Sequence, residues 1–244
     1  MSIFNDKFYE NPDINAYLNW RTDAPIFASF YDVGVGYLSS SIITLQSIIN
    51  NKNEGSEADS IIFPIMFNLW HGIELMLKSG ILLIGEVKRV DNKFKSKGHK
   101  IDILYNLFIE ELNSFTLTQP QKDLKVLKDL IDEFNNQNVR FDAFRYPNDS
   151  NWNEQFYNTP DNNYVENKCV NLFDLQKKCL EIIENLPRTI KFIEDTIISD
   201  GNNISALNDN YYNKYKKDEL FTEKDYEKDE DPFTILLRYL RYTM

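Results

Sequence analysis

The residues best suited to chemistry in this 244-residue chain lie in an apolar stretch from Ile61 to Ile84. At about 100° per residue, four polar side chains that interrupt it fall along one stripe of a helix. They are Asn68, His71, Glu74 and Lys78. Burying a histidine and two ionisable groups costs free energy unless each finds a partner. The stripe therefore predicts a polar network, a cleft or a subunit interface at the centre of the fold.

Proton transfer is the chemistry that these residue types favour. The chain has two histidines, His71 and His99, whose unperturbed pKa near neutrality suits a general base or acid. Arg145 or Lys78 would stabilise a phosphate oxyanion, and Tyr146 follows Arg145 in a segment suited to binding phosphate. Proton transfer and oxyanion stabilisation by these groups require no metal and no other cofactor.

The same side chains also allow a purely structural interpretation. Glu74 precedes Lys78 by four residues, the favourable order for an ion pair within a helix. These two groups can satisfy one another together with Asn68 and His71. Arg145 could equally pair with Glu74 and join the later segment to the central helix. Under this interpretation the stripe stabilises the core and does no catalysis.

Composition limits the classes of partner. The net charge is −11, which counts against extended binding to duplex nucleic acid but leaves a small local site open. The absence of an N-terminal apolar run and the two cysteines, Cys169 and Cys179, predict a cytoplasmic protein with core thiols. The stretch 61–84 is nearly long enough to cross a membrane. Its ionisable side chains in mid-segment indicate a soluble core helix instead.

Apolar residues at helical spacing predict five principal helices. They cover residues 25–50, 61–84, 99–113, 118–134 and 172–199. Asn171 is the predicted N-cap of the last helix, and Pro187 is expected to kink it. In the first helix, Gly34 and Gly36 are weak helix formers that would allow a close helix contact.

Two further segments have a different character. Apolar and polar residues alternate in two segments, Val139–Tyr146 and Tyr164–Phe173. This pattern predicts two strands of a short β-hairpin. Residues 201–244 contain an acidic linker followed by an apolar and basic segment, 233–244, suited to docking as a helix. The predicted organisation is a helical domain at 1–200 and this C-terminal arm at 201–244.

Two short motifs carry a resemblance to a known family. The run His71–Lys78, HGIELMLK, followed by Gly98–Leu104, GHKIDIL, resembles the core of the HEPN superfamily of helical proteins. The phrase at 144–147, FRYP, is consistent with it. The resemblance implies an antiparallel helical bundle, often dimeric, in bacterial toxin–antitoxin and anti-phage systems. Several members are metal-independent ribonucleases.

The chain departs from that family at the catalytic signature. Ribonuclease members carry an arginine about four to six residues before the histidine. The nearest arginine upstream of His71 is Arg21, and Arg89 lies too far before His99. The family activity therefore does not transfer to particular residues of this chain.

Two hypotheses follow for a mainly α fold with a short β-hairpin insertion and a C-terminal arm. The first is a HEPN-like defence or toxin-type module that engages RNA or a nucleotide. It would use His71, His99 and Arg145, with Asn68, Glu74, Lys78 and Tyr146 binding or orienting. The second is a non-catalytic helical subunit that forms a homodimer or holds a protein partner.

Overall fold

The computed structural model describes residues 25–88, 99–114, 118–136, 141–146 and 169–200. Of these residues, 89% are helical and none is in a strand, which confirms a mainly α chain. The helices are α1 (Ile26–Asn50), α2 (Ala58–Lys88), α3 (Ile101–Ser114), α4 (Thr118–Asp123), α5 (Lys125–Asn136) and α6 (Leu172–Asp200). Short 3₁₀ helices occupy Glu54–Ser56 and Phe141–Phe144. The predicted C-terminal arm at 201–244 lies outside the described residues.

Helix α2 is the centre of the core, as its composition predicts. Ile73, Met76 and Leu77 are completely buried on it. Two side-chain hydrogen bonds fix α1 antiparallel to α2. Ser79 Oγ donates to the Phe27 carbonyl at 2.8 Å, and Ser41 Oγ donates to the Ile65 carbonyl at 3.0 Å. These two bonds hold α1 beside α2 from Ile65 to Ser79, the part of α2 that carries the polar stripe.

Glycines let α1 and α2 approach closely. A Cβ on Gly34 would lie 2.9 Å from Met76 Sδ, and a Cβ on Gly72 would lie 2.8 Å from Leu38 Cγ. The close helix contact predicted at Gly34 is therefore confirmed. Gly36 points away from the core, and a Cβ there would meet nothing within 4 Å.

The predicted first strand, Val139–Tyr146, is wrong over its described part. Residues 141–144 form a 3₁₀ helix. The Phe144 ring packs against Phe63 and Phe134, with ring centroids 6.4 and 5.9 Å away. These tertiary contacts outweigh the strand propensity of the alternating sequence.

The predicted second strand, Tyr164–Phe173, ends in a helix cap. Asn171 Oδ1 accepts hydrogen bonds from the backbone N–H groups of Phe173 and Asp174 at 3.0 and 3.2 Å. The N-cap predicted at Asn171 is therefore confirmed, and α6 starts directly after it. Residues 164–168 lie outside the described part of the chain.

Two other expectations need correction. The helix predicted over 118–134 divides at Leu124, whose side chain is buried and whose carbonyl lies 3.5 Å from the Tyr105 hydroxyl. Cys179 is a core thiol, and burial raises its pKa to about 12. Cys169 is exposed, because it lies in the irregular segment before α6.

Two described helices, Ile26–Asn50 and Ala58–Gly85, are long and apolar enough to cross a membrane by length and composition alone. Core helices of soluble proteins meet the same criterion. The second of them contains Glu74 paired with Lys78 at its middle, an arrangement that is costly in hydrocarbon.

Candidate functional site

A buried carboxylate is the centre of the site. Residues three and four apart share one helix face, so α2 presents His71, Glu74 and Lys78 together. Glu74 is only 5% exposed. Its Oε1 accepts a hydrogen bond from Lys78 Nζ at 2.6 Å and another from His99 Nδ1 at 2.8 Å. We refer to Glu74, His71, Lys78 and His99 as the Glu74 cluster.

His99 joins this cluster from the turn that precedes α3. Its side chain is 72% exposed although its carboxylate partner is buried. With Nδ1–H donating to Glu74, Nε2 of the neutral imidazole is the acceptor. The carboxylate thus orients an imidazole whose second nitrogen is available to solvent, the arrangement of an oriented general base. No local sequence signal links His99 to Glu74, which lies 25 residues earlier.

His71 occupies a more enclosed position among aromatic rings. The Tyr37 ring meets it edge-on at 4.5 Å between centroids, and Phe67 stacks nearly parallel at 5.6 Å. Its Nδ1 is buried without a hydrogen bond among the described residues. The nearest carboxylate oxygen, Glu74 Oε2, is 3.9 Å away, which is too long for a hydrogen bond.

The surroundings of His71 lower its pKa below the usual value of 6.5. Burial is the largest cause, because it penalises the charged imidazolium. The Glu74 carboxylate opposes this effect. The positive groups of the site add to the lowering; they are Arg145, His99 and Lys78. His71 is therefore neutral at pH 7.

Arg145 reaches the site from the 3₁₀ helix that precedes it. Its guanidinium carbon lies 5.1 Å from the centroid of the Phe67 ring, within the range of a cation–π contact. Among the described residues Arg145 makes no ion pair with Glu74. The alternative prediction, that Arg145 pairs with Glu74 in the core, is therefore wrong. Tyr146 beside it is 62% exposed.

Asn68 lies on the same stripe of α2 but is not part of the Glu74 cluster. Its Nδ2 donates to Ser40 Oγ on α1 at 3.2 Å. Of the seven residues that the sequence singles out, the structure brings four together around one carboxylate. Arg145 contacts the Phe67 ring that stacks on His71, and Asn68 and Tyr146 are not part of the cluster.

Sequence reasoning misses the aromatic enclosure of His71. Phe67 precedes His71 by four residues, so a stack on the same helix face could have been predicted from the spacing alone. Tyr37 belongs to α1, and no local signal links it to His71. The two rings explain why a histidine tolerates this half-buried position.

The arrangement supports proton transfer and binding of an anion. Lys78 balances the charge of the Glu74 carboxylate and Arg145 adds a cation beside Phe67, so the local balance is positive in a chain of net charge −11. No group of three or more His, Cys, Asp or Glu side chains that could hold a metal ion occurs in the described part of the chain.

A concave surface lies between α4, α5 and α6. It is an open groove of about 700 Å³ lined by charges of both signs. Lys178 and Glu133 pair across it, and none of the Glu74 cluster lines it. Mutual pairing of its charges leaves no clear preference for a ligand of either sign.

Comparison with known proteins identifies no relative. No protein-family model matches the chain, and neither a curated protein nor a solved structure matches it. The function therefore has to be argued from the site itself.

Proposed function

We propose that this chain engages RNA and cleaves it without a metal ion, with His99 as the general base. The observation that carries the proposal is the hydrogen bond from His99 Nδ1 to the buried carboxylate of Glu74 at 2.8 Å. It orients an otherwise exposed imidazole and leaves Nε2 free to accept a proton. Oriented proton transfer of this type contributes about 10²–10⁴-fold to a rate.

The chemistry balances with the residues of the site. His99 Nε2 takes the proton from a ribose 2′-hydroxyl, and the 2′-oxygen attacks the adjacent phosphorus. The bond from phosphorus to the 5′-oxygen breaks, and that oxygen takes a proton from His71. The products are a 2′,3′-cyclic phosphate and a 5′-hydroxyl end. Because the pKa of His71 is lowered, the protonated form that donates this proton is populated below neutral pH, and the rate should be highest there.

Charge and aromatic groups at the site favour a single-stranded substrate. Arg145 supplies a cation beside His71, and Tyr146 is an exposed ring that could stack on an unpaired base. The acidic balance of the whole chain opposes extended contact with a duplex. A nucleotide would use the same phosphate and ring contacts.

The biological setting in this proposal is a cytoplasmic bacterial defence or toxin–antitoxin system. It is supported by the resemblance of the 71–78 and 98–104 motifs to HEPN proteins and by the helical content of the described residues. An antiparallel bundle of the HEPN type is part of the same proposal. The antiparallel pair of α1 and α2 is compatible with it.

The test is cleavage of RNA in EDTA by the full chain and by His99→Ala. Because the His99 side chain is 72% exposed, this variant should keep its fold, which circular dichroism checks. We expect the rate to fall by about 100-fold or more, and cyclic-phosphate ends to disappear. Lys125→Ala, which alters an exposed pair elsewhere, is the matched control and should cleave normally. Cleavage by His99→Ala at the original rate would reject the proposal. So would no cleavage by the unaltered chain on total RNA, transfer RNA and single-stranded oligomers.

A second candidate function is a non-catalytic helical subunit that holds a protein partner or a second copy. The observation that favours it is that Glu74 already binds both Lys78 and His99, as a structural network would. In this case His99→Ala changes stability and leaves nothing catalytic to lose. Deletion of 233–244 should then alter the mass or the capture of a partner.

A further inference from the structure

The His99 side chain is open to solvent but anchored through one of its two nitrogens. It is 72% exposed, and its Nδ1 lies 2.8 Å from Oε1 of the buried Glu74. Because Nδ1–H donates this hydrogen bond, the lone pair of the neutral ring is on Nε2. That lone pair can attack phosphorus as well as accept a proton, so an oriented imidazole is a nucleophile as well as a base.

His71, the other histidine of the chain, lacks this combination of exposure and orientation. Its side chain is 23% exposed, and its Nδ1 is buried without a hydrogen bond among the described residues. The rings of Tyr37 and Phe67 lie 4.5 and 5.6 Å from it between centroids. A phosphoryl group is bulky and strongly hydrated, so a phosphoryl donor reaches His99 more readily than His71.

We propose that Nε2 of His99 is a phosphoryl acceptor, and that its donor is a phosphoramidate, the chemical class that includes a phosphohistidine of another protein. Transfer between two nitrogen atoms suits this site. The leaving group of a phosphoramidate departs as a neutral amine, so its departure requires no general acid beside His99.

The transfer balances with Glu74 as the counter-ion of the ring. Nε2 attacks phosphorus, and the phosphorus–nitrogen bond of the donor breaks. The donor nitrogen, already protonated, leaves as an amine with the bonding electron pair. The His99 ring keeps its proton on Nδ1 and gains a positive charge, 2.8 Å from the carboxylate oxygen. Glu74 therefore stabilises a charge that develops only as the new bond forms, which lowers the barrier.

The charges around the site allow an anionic donor to approach. Lys78 Nζ lies 2.6 Å from the same Glu74 oxygen that binds His99, so it offsets the negative charge of the carboxylate. Arg145 adds a cation over the Phe67 ring. A local positive balance of this kind attracts anions to one place on a chain of net charge −11.

Phosphorylation of His99 would switch off the proposed RNA cleavage, a consequence that rests on the proposed function. A phosphorylated Nε2 has no lone pair with which to accept the proton of a ribose 2′-hydroxyl. The added negative charge also repels the phosphates of RNA. Hydrolysis of the phosphorus–nitrogen bond restores the base, so the switch is reversible.

The first experiment measures phosphorylation of the full chain by potassium phosphoramidate at about pH 8, where an ordinary imidazole is neutral. Intact mass should rise by about 80 Da, the mass of one phosphoryl group, and peptide mapping should place it on His99. The adduct should be lost in acid, as a phosphorus–nitrogen bond requires. His99→Ala should remove the fast reaction.

Val33→His supplies a matched reference histidine within the same molecule. Position 33 is 50% exposed, and none of the residues three or four positions away on α1 is charged. We expect His99 to react about tenfold faster than the introduced histidine, the rate equivalent of one charge-assisted hydrogen bond. Equal rates at the two positions overturn the proposal, as does faster modification of His71 than of His99.

Glu74→Gln in the Val33→His chain separates orientation from exposure. Glutamine keeps an oxygen that can accept the Nδ1–H bond but removes the counter-charge. The rate at His99 should fall towards that of the reference histidine, whose own rate should stay the same. An unchanged rate at His99 rejects the role of Glu74. The comparison between positions 33 and 99 with Glu74 in place remains decisive if this variant does not fold.

RNA cleavage by the phosphorylated chain is measured separately. We expect cleavage to stop when His99 is fully phosphorylated and to return after the phosphoryl group is hydrolysed. Cleavage at the full rate by the phosphorylated chain overturns the switch. Fast phosphorylation of His99 in a chain that never cleaves RNA supports the phosphoryl acceptor and rejects the proposed function. Cleavage without fast phosphorylation of His99 does the reverse.

Discussion

Glu74 on α2 accepts a hydrogen bond from His99, which lies 25 residues later and just before α3. The same oxygen binds Lys78. A buried carboxylate loses its hydration, so its hydrogen bonds to charged or polar donors replace what water supplied. This one relationship joins two helices and also gives an exposed imidazole a fixed orientation. Stability and chemistry are therefore coupled at Glu74, and variants have to separate them.

Glu74→Gln should destabilise the protein by about 1–3 kcal/mol, because Lys78 and His99 lose a charged acceptor in a buried position. Urea denaturation followed by circular dichroism measures the change in the free energy of unfolding. Asp129→Asn is the matched control, since its i,i+4 pair with Lys125 is exposed and should be worth less than about 0.5 kcal/mol. If both variants lose the same free energy of unfolding, the Glu74 contacts stabilise the protein no more than an exposed ion pair does.

The stability of the protein should depend on pH through His71. Its folded pKa is lowered, mainly by burial, so the unfolded chain binds the proton more readily. Stability is therefore complete above the unfolded pKa of about 6.5 and is lost as pH falls from there through the folded pKa. The slope from this group reaches at most about 1.4 kcal/mol per pH unit.

His71→Phe keeps an aromatic ring between Tyr37 and Phe67 but removes the titration. We expect its free energy of unfolding to fall less steeply than that of the original chain below pH 6.5. Denaturation curves at several pH values measure both slopes, and carboxylate effects common to the two proteins cancel in the comparison. Parallel slopes would mean that His71 has the same pKa folded and unfolded.

Local sequence signals predict the parts of the fold that depend on neighbours along the chain. The continuous apolar run predicts α2 as the core helix, and the Glu74–Lys78 spacing predicts their ion pair, found at 2.6 Å. Asn171 is recognisable as a cap from its residue type and position. The ion pair and the cap each depend on an interaction that spans no more than four residues.

Contacts between distant segments are what the sequence does not predict. Alternation at 139–146 is typical of a strand, but burial of Phe144 against Phe63 and Phe134 produces a 3₁₀ helix. The bond between His99 and Glu74 depends on how the chain returns after α2. Nothing in the residues around His99 specifies it.

The two cysteines should differ strongly in reactivity. Cys179 is buried and its pKa is raised to about 12, so its thiolate is scarce and inaccessible at pH 8. Cys169 is exposed. A thiol reagent such as Ellman's reagent should therefore modify one thiol per folded chain quickly, and two after unfolding in urea. Fast modification of two thiols in the folded protein would contradict the burial of Cys179. Cys169→Ser, in which no fast reaction should remain, identifies the reactive group.

The closeness of α1 and α2 should make Gly72 intolerant of any side chain. A Cβ at Gly72 would lie 2.8 Å from Leu38 Cγ and 3.0 Å from the Leu38 backbone nitrogen. The helices would have to separate, because a backbone atom cannot move away as a side chain can. Gly72→Ala should therefore cost about 1–3 kcal/mol, as overpacking does, despite the higher helix propensity of alanine.

Gly36→Ala is the matched control, where a Cβ meets nothing within 4 Å. This variant should gain up to about 1 kcal/mol from helix propensity. Thermal and urea denaturation of both variants measure the difference, and a Gly72→Ala protein as stable as Gly36→Ala would show that the two helices are not in this close contact.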